Sequence, residues 1–207
     1  MKLAVFDFDS TLMEGETIDE LACAYGVSES VKEITKMAME GKLDFYESLK
    51  KRVSFLKGMK EESAISVCRN LPLINGAKEI VLELKKRDYK VVCFSGGFKF
   101  ATSYFKEILG LDADFSNTLH SKNGILSGEV GGEMMFGNSK GKMLSTLQNL
   151  LKIDKKNTLA VGDGANDISM FAYADKKVAF CAKEALKKEA NIIIKKKDLR
   201  EILKHID

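Results

Sequence analysis

Five short runs of β-branched, aromatic and aliphatic residues recur along the chain: LAVFDF (3–8), KVVCFS (90–95), NTLAVG (157–162), KVAFCA (177–182) and NIII (191–194). Runs this short and this continuously apolar suit strands covered on both faces, as in a parallel sheet. Amphipathic helical patterns lie between most of them, at 76–89, 99–110 and 140–151. A weaker strand candidate, ADFSNTL, spans 113–119. Strands alternating with helices predict an α/β fold, a doubly wound and mainly parallel sheet of the Rossmann-like kind.

Residues 13–71 break the alternation. Four consecutive helical patterns occur there, ETIDELACAYG, ESVKEITKMAMEG, DFYESLKKRVSFLKG and EESAISVCRNL, and three of them stop at Gly26, Gly41 and Gly58. Glycine after the last periodic residue is a helix stop. The single proline, Pro72, marks the return to the sheet. The expected organisation is a catalytic core of residues 1–12 and 72–207 with a four-helix domain, 13–71, inserted after the first strand. Asn123-Gly124, between extended segments at 121–130, predicts a small β-hairpin.

With 207 residues, 45% of them hydrophobic, the chain can bury one substantial core. Its net charge of +3 is spread without a basic stripe interleaved with aromatics, so nucleic acid is not an expected partner. No apolar run approaches the ~20 residues of a membrane span. The chain opens directly into a strand pattern, so no signal peptide is expected. Cys23, Cys68, Cys93 and Cys181 are widely spaced and read as reduced core residues of a cytoplasmic protein. The sequence leaves monomer and homodimer equally open.

Three strand ends carry polar or glycine-rich punctuation: FDFDST, CFSGGF and VGDGANDISM. In open α/β sheets, ligands bind at the carboxyl ends of strands near the switch in strand order. If these strands are neighbours, Asp7, Asp9, Ser95, Gly96, Asp163, Asn166 and Asp167 converge on one spot. Alternation along the first strand puts both Asp7 and Asp9 on one face, and two adjacent like charges call for a cation or a shared proton. Hard oxygen ligands without histidine select Mg²⁺ over zinc. Ser95-Gly96-Gly97 offers a hydroxyl and free N–H groups to a phosphate. A carboxylate is ionised at neutral pH, so it can attack phosphorus without a base and form an acyl phosphate that water resolves. A second carboxyl group can protonate the leaving alkoxide and later deprotonate that water. From spacing alone, Lys140 could equally be a surface lysine, and Asp9 or Asp167 could merely begin a helix.

DFDST, the serine of SGG, Lys140 and GDGAND, in that order, resemble the four motifs of the haloacid dehalogenase-like phosphatases. GETIDELA, AMEGKLDF, RVSFLKG, GDGANDISM and FCAK extend the likeness along essentially the whole chain, toward members that act on a small phosphorylated amino acid. The resemblance implies Asp7 as phosphorylated nucleophile and Asp9 as general acid/base. It implies Mg²⁺ held by Asp7, the backbone carbonyl of Asp9, and Asp163, with Asp167 supporting the metal shell. Ser95, Gly96, Lys140 and Asn166 would bind or position the phosphate. The helical insert would be the cap, with Glu16 for the substrate ammonium, Arg52 for its carboxylate, and Met39 and Phe45 as apolar lid residues.

Arg52 has support from the residues themselves. Phe45, Leu49, Arg52 and Leu56 fall at i, i+4, i+7 and i+11, one helical face. An arginine on an apolar stripe either meets an anion or snorkels to water. Glu16 could equally favour a helix dipole, and Met39 and Phe45 could be plain core residues. The alternative activity is hydrolysis or phosphotransfer on another phosphoester. A signalling phosphoacceptor module would not need Asp9 or a large insert. A nucleotide-binding module would want a glycine-rich first loop, where this chain has DSTLMEGE.

Overall fold

The computed structural model describes residues 1–206. Its strands are β1 (Lys2–Asp7), β2 (Tyr89–Phe98), β3 (Ala113–Lys122), β4 (Ile125–Gly132), β5 (Thr158–Gly162), β6 (Lys176–Phe180) and β7 (Ile192–Ile194). They form one sheet in the order β4-β3-β2-β1-β5-β6-β7. Only the β3–β4 pairing is antiparallel. β1 lies between β2 and β5, with Val5 opposite Val92 and Phe6 opposite Val161. The three punctuated strand ends are therefore neighbours, and the order reverses direction at β1.

Successive residues of β1 feed different cores, as strand alternation requires. Ala4 and Phe6, with Phe8 just beyond the strand, belong to one apolar cluster, and Leu3 and Val5 to a second. Helices α5 (Ala77–Lys86) and α6 (Lys99–Leu109) line the first cluster, and α7 (Ser139–Leu151) with the short α8 (Ile168–Phe171) the second. A further short helix, α9 (Glu184–Lys187), follows β6, and 3₁₀ turns occupy Lys155–Asn157, Ala165–Asp167 and Leu199–His205.

The insert is α1 (Thr17–Tyr25), α2 (Ser28–Met39), α3 (Phe45–Ser54) and α4 (Glu61–Arg69). Gly26, Gly41 and Gly58 all adopt positive φ at its turns. Helix α3 stops at Ser54, four residues before Gly58, because Phe55 and Leu56 N–H groups bond three residues back and tighten the chain into turns. Asp44 caps α3 reciprocally with Glu47. The apolar interior of the insert, Leu21, Leu49, Val53 and Leu56, is continuous with the first sheet cluster. Two connections join insert to sheet side by side: Glu14 N–H donates to the Pro72 carbonyl at 2.9 Å and Ile74 N–H to the Leu12 carbonyl at 3.0 Å.

The hairpin forms where Asn123-Gly124 predicts it, with φ of 54° and 74° at the two turn residues. Both values suit the mirror-image turns that match strand twist. Its β4 arm is bonded to the α3–α4 connection: Gly58 N–H to Leu126 O (3.0 Å), Leu126 N–H to Met59 O and Glu61 N–H to Gly124 O (both 2.9 Å). Strand β2 continues through Ser95-Gly96-Gly97 to Phe98, where a turn into a helix was expected, with a register shift against β3 between Phe94 and Phe98. That irregularity lets the loop bulge toward the β1 end. Two cysteines depart from the expected core placement. Cys68 and Cys93 are buried, whereas Cys23 sits on an exposed helix face and Cys181 on an exposed positive-φ turn after β6; all four are free. Among the described residues, no helix is long and apolar enough to cross a membrane.

Candidate active site

Asp7 closes β1 almost fully buried, 3% exposed. Its Oδ1 accepts the Phe8 N–H at 2.7 Å and lies 2.6 Å from the Lys140 ammonium. Lys140, in the first turn of α7, is equally close to Asp167 Oδ1. Asp167 Oδ2 accepts the N–H groups of Asp163 (3.0 Å) and Gly164 (3.1 Å), which folds the loop after β5 around that carboxylate. The loop can close this tightly because residue 162 has no side chain: a Cβ there would meet Asp167 at 2.3 Å.

Carboxylate oxygens of Asp7, Asp163 and Asp167 lie within 4.8 Å of one another. Burial pushes Asp7 well above the ordinary carboxyl range; Asp167 adds to this, Lys140 opposes it and Asp163 adds further. Asp163 is pushed up to about 6, by burial and then by Asp167. Burial alone would lower Lys140, but Asp167 and Asp7 outweigh it and hold the ammonium charged. Three clustered carboxylates facing one lysine leave an excess of negative charge out of water. A divalent cation bound by hard oxygens fits that excess. Asp167 already spends both oxygens on Lys140 and backbone donors, so Asp7 and Asp163 are the freer ligands.

Asp9 lies two residues beyond the end of β1. Its Oδ1 accepts both the N–H and the hydroxyl of Thr17, the first residue of α1, and its Oδ2 accepts the Ser95 hydroxyl at 3.0 Å. A cavity of about 570 Å³ opens over this floor, with Asp7, Asp9, Asp163, Gly96 and Asn166 on the sheet side. Glu16, Met39, Phe45 and Arg52 line it from the insert. Ser95, Lys140 and Asp167 are buried beneath it. The Phe45 ring rests on the Gly96 backbone, since a Cβ on Gly96 would meet it at 3.0 Å. Met39 stands on the rim, 75% exposed. Arg52 is half-buried, and its Nε reaches only the Ser48 carbonyl of its own helix, at 3.4 Å. Burial lowers Arg52 somewhat, and Glu16, Asp19 and Asp9 pull it back up. Glu16 accepts the Ser10 hydroxyl at 3.2 Å and is pushed up to about 8, by burial first and then by Asp9 and Asp163.

The profile of the haloacid dehalogenase-like hydrolases matches residues 1–175 of this chain. The chain belongs to that family. A phosphoserine phosphatase of Wolinella succinogenes is 68% identical over 206 residues, covering 100% of both chains. One of Methanocaldococcus jannaschii is 53% identical over 205 residues, covering 99% of this chain and 97% of the other. Two solved structures superpose with a TM-score of 0.94 at 52% identity over 100% of this chain, covering 99% and 98% of theirs. The first is described as a phospho-aspartyl intermediate analogue of phosphoserine phosphatase, the second as a substrate-bound phosphoserine phosphatase complex.

In this hydrolase three further residues at the site have no role assigned from sequence, although Thr17 and Lys183 lie in GETIDELA and FCAK. Thr17 grips Asp9 with two donors but looks like an ordinary helix-start threonine. Lys183, within FCAK, lines the cavity beside Glu16 and Asp163. Buried Asn117 holds the Ser95–Gly97 loop from behind, donating to the Gly96 carbonyl. The only sequence sign of Asn117 is a polar residue inside a strand candidate.

Proposed function

We propose that this chain is a Mg²⁺-dependent phosphoserine phosphatase. It hydrolyses O-phospho-L-serine to L-serine and phosphate through an aspartyl phosphate on Asp7, which would place it at the last step of serine biosynthesis, in the cytoplasm. The observation that carries the reading is the charge layout of one cavity. A buried carboxylate–lysine floor suits a phosphoryl group, and Arg52 and Glu16 on the facing insert suit a carboxylate and an ammonium. A sugar phosphate needs neither of the latter.

Asp7 Oδ1 is committed to Phe8 N–H and Lys140, so Oδ2 is the attacking atom. Lys140 balances the phosphoryl charge. Asp9 gives its proton to the departing serine oxygen, then takes one from the water that attacks the aspartyl phosphate. Asp7, the Asp9 carbonyl and Asp163 would hold Mg²⁺, supported by Asp167; when bound it offsets repulsion between nucleophile and phosphate dianion. Gly96 and Asn166 face the phosphate from the two flanking loops, with Ser95 beneath. Phe45 and Met39 cover the apolar part of the substrate. The test is phosphate release from O-phospho-L-serine with and without Mg²⁺, beside sugar and nucleotide phosphates. Preference for phosphoserine is the expected result, and a flat profile across the panel would sink the substrate assignment.

A further inference from the structure

Asn117, on β3, is completely buried and touches neither the cavity nor any charged group named above. Its side chain is nonetheless saturated with backbone from two distant segments. Nδ2 donates to the Gly96 carbonyl at 3.0 Å and to the Met134 carbonyl at 3.2 Å, while Oδ1 accepts the Met134 N–H at 3.0 Å. The Gly96 carbonyl shares a rigid, planar peptide with the Gly97 N–H, and the two point in opposite directions. Pinning one therefore aims the other. The Gly97 N–H donates to Ser95 Oγ at 2.8 Å. A hydroxyl has one proton to give, and with an acceptor site filled by Gly97 the Ser95 proton goes to Asp9 Oδ2 at 3.0 Å. The loop is also pressed against that carboxyl group, since a Cβ on Gly97 would sit 2.7 Å from Asp9 Oδ2.

We propose that Asn117 is a positioning residue for proton transfer: through the Gly96–Gly97 peptide and the Ser95 hydroxyl, it fixes the direction of the Asp9 carboxyl group. The inference rests on the reading of Asp9 as general acid/base. In the step it serves, an Asp7 oxygen forms a bond to phosphorus as the bond from phosphorus to the serine oxygen breaks. The Asp9 proton passes to that oxygen, leaving serine neutral and Asp9 as carboxylate. A carboxyl group held on both oxygens is pre-oriented for this transfer, and one held by Thr17 alone can swing.

Two leaving groups separate positioning from general damage. Serine departs as an alkoxide and needs the proton; p-nitrophenolate departs as a stable anion and does not. The value of kcat/KM reports steps up to loss of the leaving group. For Asn117→Asp, which keeps the acceptor and removes both donors, and for Asn117→Ser, kcat/KM on phosphoserine should fall roughly 10- to 100-fold, within the range of general acid catalysis. On p-nitrophenyl phosphate it should fall less than about threefold, and inhibition by inorganic phosphate should be unchanged. Equal losses on both esters, or no loss on phosphoserine, overturn the proposal. If both variants fail to fold, Asn117 is a folding residue and the proposal also falls. Should the wild-type protein cleave the aryl ester but not phosphoserine, the substrate assignment fails on its own, and the same split is then measured on whichever alkyl phosphate it does cleave.

Discussion

On the floor of the cavity Asp7, Lys140 and Asp167 already hold one another before any substrate arrives. Lys140 lies 2.6 Å from both Asp7 and Asp167, and Asp167 is further held by two backbone donors. On the roof, Arg52 makes no ion pair among the described residues, and Glu16 leans on a serine hydroxyl. The floor is built from strand ends within a sheet, so its geometry is fixed by the same hydrogen bonds that make the fold. The roof is built from the helices of the insert, and its charges have no such partners. If the proposed function holds, catalytic charge is preorganised and recognition charge is left unsatisfied until a ligand of the right shape binds.

Five experiments press on that contrast. Asp7→Asn removes the nucleophile without changing its shape, and kcat should fall by at least about 10⁴-fold with no phosphorylated protein detectable by mass spectrometry. Asp9→Asn should also stop turnover but leave Asp7 able to be phosphorylated by a good leaving group. Residual phosphorylation in Asp7→Asn would mean the floor is not where the chemistry starts. Arg52→Ala should raise KM for phosphoserine roughly 10- to 100-fold, as for loss of a charged hydrogen bond, and hardly affect p-nitrophenyl phosphate. Equal effects on both esters would make Arg52 part of the packing instead.

The fourth experiment concerns the seam between the regions. Tyr46 of α3 stacks on Phe136, in the segment that leads to Lys140, with centroids 5.1 Å apart. A double-mutant cycle of Tyr46→Ala and Phe136→Ala, read in kcat/KM, should give a coupling of about 1 kcal/mol. Additivity would show that the stack does not couple the two regions in turnover. The smallest effect is on stability. Glu16 is held at about 8 against an ordinary 4.5, so the folded state binds that proton more tightly than the unfolded one. Stability at this residue is therefore full below pH 4.5 and is lost as pH rises toward 8. The gap in Tm between Glu16→Gln and wild type should open across that window in favour of Gln, then level off. A gap independent of pH would remove Glu16 from the set of strained roof charges.

Much of this architecture was legible before any coordinates. The buried strands announced themselves as unbroken apolar runs, the insert as four helical periods with terminal glycines, and the hairpin as Asn-Gly. Arg52 stood out as a charge on an apolar stripe, and Leu49 and Leu56 beside it are indeed buried. Residues that act through folded-back backbone left no such mark. Asn117, Thr17 and Lys183 each matter because of a partner brought near by the sheet order, and single-chain periodicity carries no record of that order. Cys23 and Cys181 misled for the opposite reason: an apolar neighbourhood in sequence says little about a helix face or a positive-φ turn.

The insert is joined to the sheet by two connections bonded side by side at Leu12–Ile74 and Glu14–Pro72, and its α3–α4 turn is stitched to the hairpin by three more backbone bonds. Among the described residues, the α2–α3 connection has no such stitch: the backbone N–H groups of residues 40–42 donate only within the insert, beside exposed Met39. On the proposed function, a substrate whose phosphate reaches the floor would meet Glu16 and Arg52 from that side.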